Sequence, residues 1–317
     1  MKQYWLSILL LTACAKDGAD TTPCAESVCL PGGGLISFSR YDTAGTSIFT
    51  IQGNGANEHR VAASGAMDIH SNWSTDGSWL AFTEIGDSSS WICRMQADGS
   101  QRQRLTADGT WSLVPSIAPD GTRITFTSDA DGNYEVYTIA ADGTDLQQLT
   151  FTDPPASHVG PKYSPDGTRI LYALKLLPGD VDQDLYVMNS DGTGPQRITF
   201  GVNDAESRSW SPDGSRIVFN NVVNGVGQLF LMNSDGTGLT QLTFNPGTTP
   251  PLVISGFFPP MSGDITPAWS PDGEWIAYAS DVSGNFDIHL IKPDGQGHRQ
   301  VTTSPGQELS VWWRPFP

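Results

Sequence analysis

Basic residues are scarce in this chain, and charge of either sign is sparse. Its 317 residues hold 17 Lys and Arg against 34 Asp and Glu, and only 16% are charged. A nucleic-acid partner needs clustered cations to neutralise phosphates, so this balance argues against DNA or RNA. Helical patterning is missing too: no stretch of helical length keeps apolar residues at i, i+3, i+4 and i+7 free of Gly or Pro. Beyond the N-terminal segment no run is long and apolar enough to span a bilayer. The chain has no G-x-S-x-G elbow, no phosphate-binding glycine loop and no Cys/His spacing of a zinc site. The acidic stretches Asp129-Ala130-Asp131-Gly132-Asn133 and Asp180-Val181-Asp182-Gln183-Asp184 lack the Gly and distal Glu of an EF-hand loop. Sequence therefore assigns no catalytic residue, no metal and no cofactor. What the chain does have is 34 Gly, 22 Pro and 38% hydrophobic residues, the composition of many short strands joined by tight turns, and the expected class is all-β.

The first residues, MKQYWLSILLLTAC, place one Lys before an apolar run and small residues before Cys14. This is the layout of an export signal. Leu11-Thr12-Ala13-Cys14 resembles the lipobox of bacterial lipoproteins, which implies cleavage after residue 13 and a lipid on Cys14. Residues 1–13 then form the signal and 14–34 a lipidated linker, with the membrane reached through the lipid alone. No Asp directly follows Cys14, which by resemblance to enterobacterial lipoproteins favours the outer membrane and exposure on the periplasmic face. An oxidising exterior makes a Cys24–Cys29 bridge an option, and Cys93, between apolar neighbours, reads as a buried small hydrophobe.

Self-similarity dominates the rest. Trp73-Ser-Thr-Asp-Gly77, Ile117-Ala-Pro-Asp-Gly121, Tyr163-Ser-Pro-Asp-Gly167, Trp210-Ser-Pro-Asp-Gly214 and Trp269-Ser-Pro-Asp-Gly273 are followed by a truncated copy, Trp313-Arg314-Pro315. The leading positions 73, 117, 163, 210, 269 and 313 are spaced by 44, 46, 47, 59 and 44. Each Ser-Pro-Asp-Gly is a turn, because Pro presets φ, Asp bonds the backbone and Gly accepts a positive φ. Strands such as Arg123–Phe126 and Glu135–Ile139 follow, then Asp-Gly-Thr turns and an outer Gln-Leu-Thr strand. Four strands per unit make a propeller blade. The N-terminal unit has strands at Leu35–Arg40, Ser47–Ile51 and Glu58–Ala62 but lacks its first, which Ser310–Arg314 supplies. Residues 35–317 are thus predicted to close a six-bladed ring. The long spacing hides an insertion at 245–264, in which the apolar Leu252, Phe257 and Phe258 are candidates for an interface.

The pattern W-S-P-D-G-x-x-I-x-F, then I-Y-x-M-x-x-D-G-T and L-T, resembles the propeller repeat of the TolB family, the periplasmic component of Tol-Pal. Similar repeats form the propeller domains of tricorn protease and dipeptidyl-peptidase-type enzymes. The resemblance implies a propeller that binds a protein or peptide of the envelope. Only about 20 residues separate Cys14 from the first strand, too few for TolB's N-terminal α/β domain, so a Tol-Pal partner does not carry over directly. A carbohydrate-active propeller enzyme and a regulatory propeller of the peptidase-associated kind stand as alternatives.

Residues repeated in every unit serve the scaffold first, so departures from the repeat are the better candidates for function. Five residues before each leading position stand Asp68, Ser112, His158, Ala205, Asp264 and Glu308, with His70, Glu206 and Arg208 nearby. The expectation is a polar, mostly acidic funnel at the mouth of the central channel, formed by Asp68, His70, His158, Glu206, Arg208, Asp264 and Glu308.

Overall fold

The structure is a computed structural model that describes residues 34–42, 45–61, 67–154, 156–175, 183–202, 207–248 and 262–315. Every regular element among them is a strand, and the strands form six four-stranded antiparallel sheets. The innermost strands of blades 1 to 6 are Gln307–Trp313, Met67–Trp73, Ser112–Ile117, Ser157–Tyr163, Arg208–Trp210 and Asp264–Trp269. Each touches the innermost strand of the next blade, and blade 6 returns to blade 1, so the chain is a closed six-bladed β-propeller. The C-terminal strand pairs with Leu35–Asp42 and completes the first blade. It begins at Gln307, three residues earlier than the sequence predicts. The outermost strand of blade 1 shrinks from the predicted Glu58–Ala62 to His59–Arg60, because the outer strands of all six blades make only a two-residue ladder.

Apolar side chains on both faces of each sheet meet those of the neighbouring sheets. Six buried clusters each bridge one pair of adjacent blades; Leu171 and Leu185 of blade 4, for example, pack on Trp210, Ile217 and Phe219 of blade 5. The core is therefore a ring rather than a single centre. Cys93 lies fully buried in it, its thiol pushed up by burial.

The repeated turns work as the sequence implies. Ser164 Oγ donates to Asp166 at 2.6 Å, the same carboxylate accepts the Thr168 amide at 3.0 Å, and Gly167 takes φ +72°. These bonds hold Asp76, Asp166 and Asp213 at a pKa of about 2, the serine hydroxyl being the largest cause. Arg169 and Arg216, which recur at one repeat position, lie 4.8 and 4.9 Å over Trp210 and Trp269, the leading residues of the next blades. The Ser-Pro-Asp-Gly turns lie at one end of the ring, the turn face. The loops that join one blade to the next lie at the other end, the loop face.

Candidate functional site: the central channel and the loop face

The innermost strands do not run straight down the channel. Their pairing with the second strand slips between Ile69 and Asn72, Leu113 and Ser116, Val159 and Lys162, Ile265 and Ala268, and between Leu309 and Trp312. At each slip one residue adopts the left-handed conformation: His70, Val114, Thr266 and Ser310 at φ between +51° and +57°, and Gly160 at +57°. For β-branched Val114 and Thr266 this is a true outlier, and such strain persists only where the surrounding fold dictates it. The bulge amides of Val114 and Gly160 are held by hydroxyls of the preceding blade, Thr83 at 3.1 Å and Thr127 at 2.9 Å. The strained residues ring a small cavity of about 50 Å³ on the axis, the waist of the channel. A wider mouth of about 280 Å³ opens on the turn face, walled by Trp73, Trp210, Trp269, Trp313, Tyr163 and prolines of the turns.

The residues expected at the funnel divide into two groups. Asp68 and Glu308 are fully buried inside their blades. Arg102 donates to both oxygens of Asp68 at 2.9 and 2.6 Å and also binds Glu84, which in turn holds Arg104. Arg40 bridges Glu308 at 2.8 Å and Glu58 at 2.7 Å, and Thr302 donates to Glu308. Asp264 accepts from Ser280 at 2.6 Å and from Asn245 at 2.8 Å, and burial raises its pKa. His158 lies 3.5 Å from Glu135, with burial lowering its pKa. None of these four lines the waist. The alternation of strand side chains and the bulge two residues on turn them into the sheets.

His70 and Arg208 do reach the waist, together with Lys162, which sequence reasoning passed over. Arg208 donates to the backbone oxygens of Val159 and Gly160. Lys162 Nζ sits 4.6 Å over the Trp312 ring and borders both waist and mouth. Burial, and secondarily Arg208, lower its pKa to about 7. Burial and Lys162 lower that of His70 to about 3, leaving it neutral. Among the described residues, the charged side chains that line the waist are thus the cations Lys162 and Arg208 rather than the expected acids. Glu206 lies outside the described residues, as do Cys14, Cys24, Cys29, Leu252, Phe257 and Phe258.

A second feature escaped the sequence. Just past the outer strands of blades 3, 4 and 5, where the chain turns onto the loop face, Phe151, Phe200 and Phe244 are 75, 77 and 78% exposed. Blades 2 and 6 have Ala107 and Thr303 at the same place. The ends of the insertion lie beside this arc. Asp281 accepts from Asn245 at 3.0 Å, Thr248 Oγ1 at 2.9 Å and Ser262 at 2.8 Å, and so pins both ends. Gly263 there meets Gly227 so closely that a Cβ would stand 2.2 Å from the Gly227 oxygen.

A family profile described as the TolB beta propeller domain matches residues 24–154 and 152–258. This chain belongs to the TolB β-propeller family. Dipeptidyl-peptidase 5 of Porphyromonas endodontalis is 32% identical over 135 residues, 41% of this chain and 17% of that protein. A TolB homolog of Chlorobium luteolum is 27% identical over 134 residues, 42% of this chain and 27% of its own length. The matches thus span well under a third of either relative. Among solved structures, TolB from Acinetobacter baumannii superposes with a TM-score of 0.73 at 18% identity, over 89% of this chain and 67% of that one. Oligogalacturonate lyase from Vibrio parahaemolyticus superposes at 0.55 and 14% identity, over 77% and 71%. At such identities the likeness is one of fold.

Proposed function

We propose that this chain is a non-catalytic propeller that binds a protein or peptide of the cell envelope through its loop face. The observation that carries the reading is the arc of Phe151, Phe200 and Phe244. Three large aromatics held in water at one repeat position contribute nothing to the inter-blade cores, and grouped apolar exposure of this kind fits a partner surface. Leu252, Phe257 and Phe258 of the insertion, whose described ends lie beside the arc, are kept as candidate further contacts. Of the residues expected at the funnel mouth, His70 and Arg208 are kept as ligand contacts; Asp68, Asp264 and Glu308 act as positioning residues within their blades. Family membership supports an envelope location, and the lipobox-like Leu11–Cys14 supports a lipid anchor at Cys14, on the periplasmic side and at the outer membrane. A Cys24–Cys29 bridge would close the linker. The peptidase and lyase names belong to those proteins, and their activities are not transferred here.

Crosslinking in native envelopes with the full lipidated protein tests the reading. Crosslinks from the loop face to one envelope protein are expected, falling about ten-fold in the triple variant Phe151→Ser, Phe200→Ser, Phe244→Ser with unchanged melting. Crosslinks of equal strength in that variant would remove the loop-face arc from the account.

A further inference from the structure

In blades 2, 3 and 5 the position just before the leading residue has a shared task. Asn72 Oδ1 accepts the Ile117 amide of the next blade at 2.7 Å, Ser116 Oγ accepts that of Tyr163 at 3.2 Å, and Ser209 Oγ accepts that of Trp269 at 3.3 Å. These short polar side chains stitch one blade to the next. Blades 6 and 1 have the uncharged Ala268 and Trp312 there, and blade 4 alone has a cation, Lys162, whose long side chain lines the channel. One residue earlier in the repeat, Ser71, Pro115, Pro161, Pro267 and Val311 are uncharged, and blade 5 alone places a cation there, Arg208. Two departures from the repeat, in adjacent blades, therefore put like charges side by side on the axis of a chain whose net charge is −17. Among the described residues no carboxylate lies within ion-pairing distance of Lys162. In the same waist His70 Nδ1 and Thr266 Oγ1 are buried without a hydrogen-bond partner.

A scaffold gains nothing from a partly buried ammonium beside a guanidinium. We propose that the waist of the channel is an anion site, in which the Lys162 ammonium binds a carboxylate that enters from the turn face. The waist, at about 50 Å³, holds one small head group. The mouth, at about 280 Å³ and walled by indoles and prolines, takes an apolar or aromatic body behind it. The ligand class is therefore a monocarboxylate with an apolar body, either a free organic acid or the C-terminal carboxylate of a peptide. Among the described residues, the groups that face Lys162 are Arg208, neutral His70, the Trp312 ring and the hydroxyls of Ser71, Thr266 and Ser310. This site lies at the opposite end of the channel from the phenylalanine arc and stands independently of the partner reading.

Calorimetric titration of the full chain with benzoate, with the tripeptide Ala-Ala-Phe and with its C-terminal amide tests the site. Saturable binding of benzoate or the free-acid peptide is expected, and none of the amide. Tighter binding of benzoate assigns a free acid; tighter binding of the peptide assigns a chain terminus. Lys162→Met should weaken binding about ten-fold or more, and Lys162→Arg should keep it within about three-fold, since a charge-assisted bond is lost in one and retained in the other. Raising the pH from about 6 to about 8.5 should also weaken the wild type about ten-fold, as the ammonium loses its proton; Lys162→Arg should not respond. Absence of saturable binding to either carboxylate overturns the proposal. So does equal binding by a folded Lys162→Met.

Discussion

The start of each innermost strand and the waist of the channel a few residues further on handle charge in opposite ways. At the start, Asp68 and Glu308 are withdrawn from water completely, and each is met by an arginine of its own blade, Arg102 and Arg40. At the waist, Lys162 and Arg208 face the axis, and Lys162 meets a tryptophan ring where an acid would neutralise it. The acids are paired with arginines inside the sheet in the first case; in the second, Lys162 has no acid partner among the described residues. The difference teaches that, among the described residues, charges of opposite sign are paired off within the blades, whereas the waist presents cations alone.

Substitutions at the two places should therefore move stability in opposite directions. The largest effect is expected from Asp68→Ala, which strands Arg102 beside a half-satisfied Glu84 network. Removing one partner of such a buried pair should cost about 3 kcal/mol in chemical denaturation. A loss below about 0.5 kcal/mol would show that the pair does not hold the blade. Lys162→Met comes next and should stabilise the unliganded protein by about 1 kcal/mol, after allowance for solvent in the channel. The sign follows from its pKa of about 7, below the ordinary lysine value of about 10.4. Folding then opposes a proton the unfolded chain would hold, fully below pH 7 and less as the pH rises towards 10. The gain in melting temperature should fade over that range.

The turn-face aspartates offer a third, smaller contrast, because they are exposed yet tightly bonded. With folded pKa values of about 2, Asp76, Asp166 and Asp213 contribute stability above their unfolded values near 4. That contribution should disappear as the pH falls from about 4 through about 2. Blade 3 has Ala118 where blades 2, 4, 5 and 6 have serine, so Asp120 keeps only its bonds from Thr122. Ala118→Ser should add about 0.5 kcal/mol at neutral pH and steepen the acid transition, as read by thermal melting at stepped pH. An unchanged acid limb would mean that the serine bond is not what lowers these carboxylates.

The fold was legible because turn chemistry repeats: five turns of the Ser-Pro-Asp-Gly type, three of them identical, and a truncated sixth copy give blade number, strand order and the closing strand. The site was legible only in part. Asp68 looked like a funnel residue because its partner Arg102 is 34 positions away in the outer part of the same blade, a distance that sequence spacing does not reveal. Lys162 carried a readable signal, being the only cation at a position otherwise filled by Asn72, Ser116, Ser209, Ala268 and Trp312. Its meaning needed the bulge at Gly160, which sets the direction of the side chain. Leu149-Thr150-Phe151 and its counterparts were visible as repeats, but Thr150 is buried and Phe151 exposed, and only the turn onto the loop face separates the two.

Lys162 is the point on which the contrast rests, and NMR titration of its side-chain resonance in the full chain, with and without benzoate, tests it most directly. The account predicts a midpoint near 7 in the free protein, moving up towards the ordinary lysine range when the carboxylate binds. A midpoint near 10 that benzoate does not move would contradict it, leaving Lys162 as a solvated side chain in an idle channel.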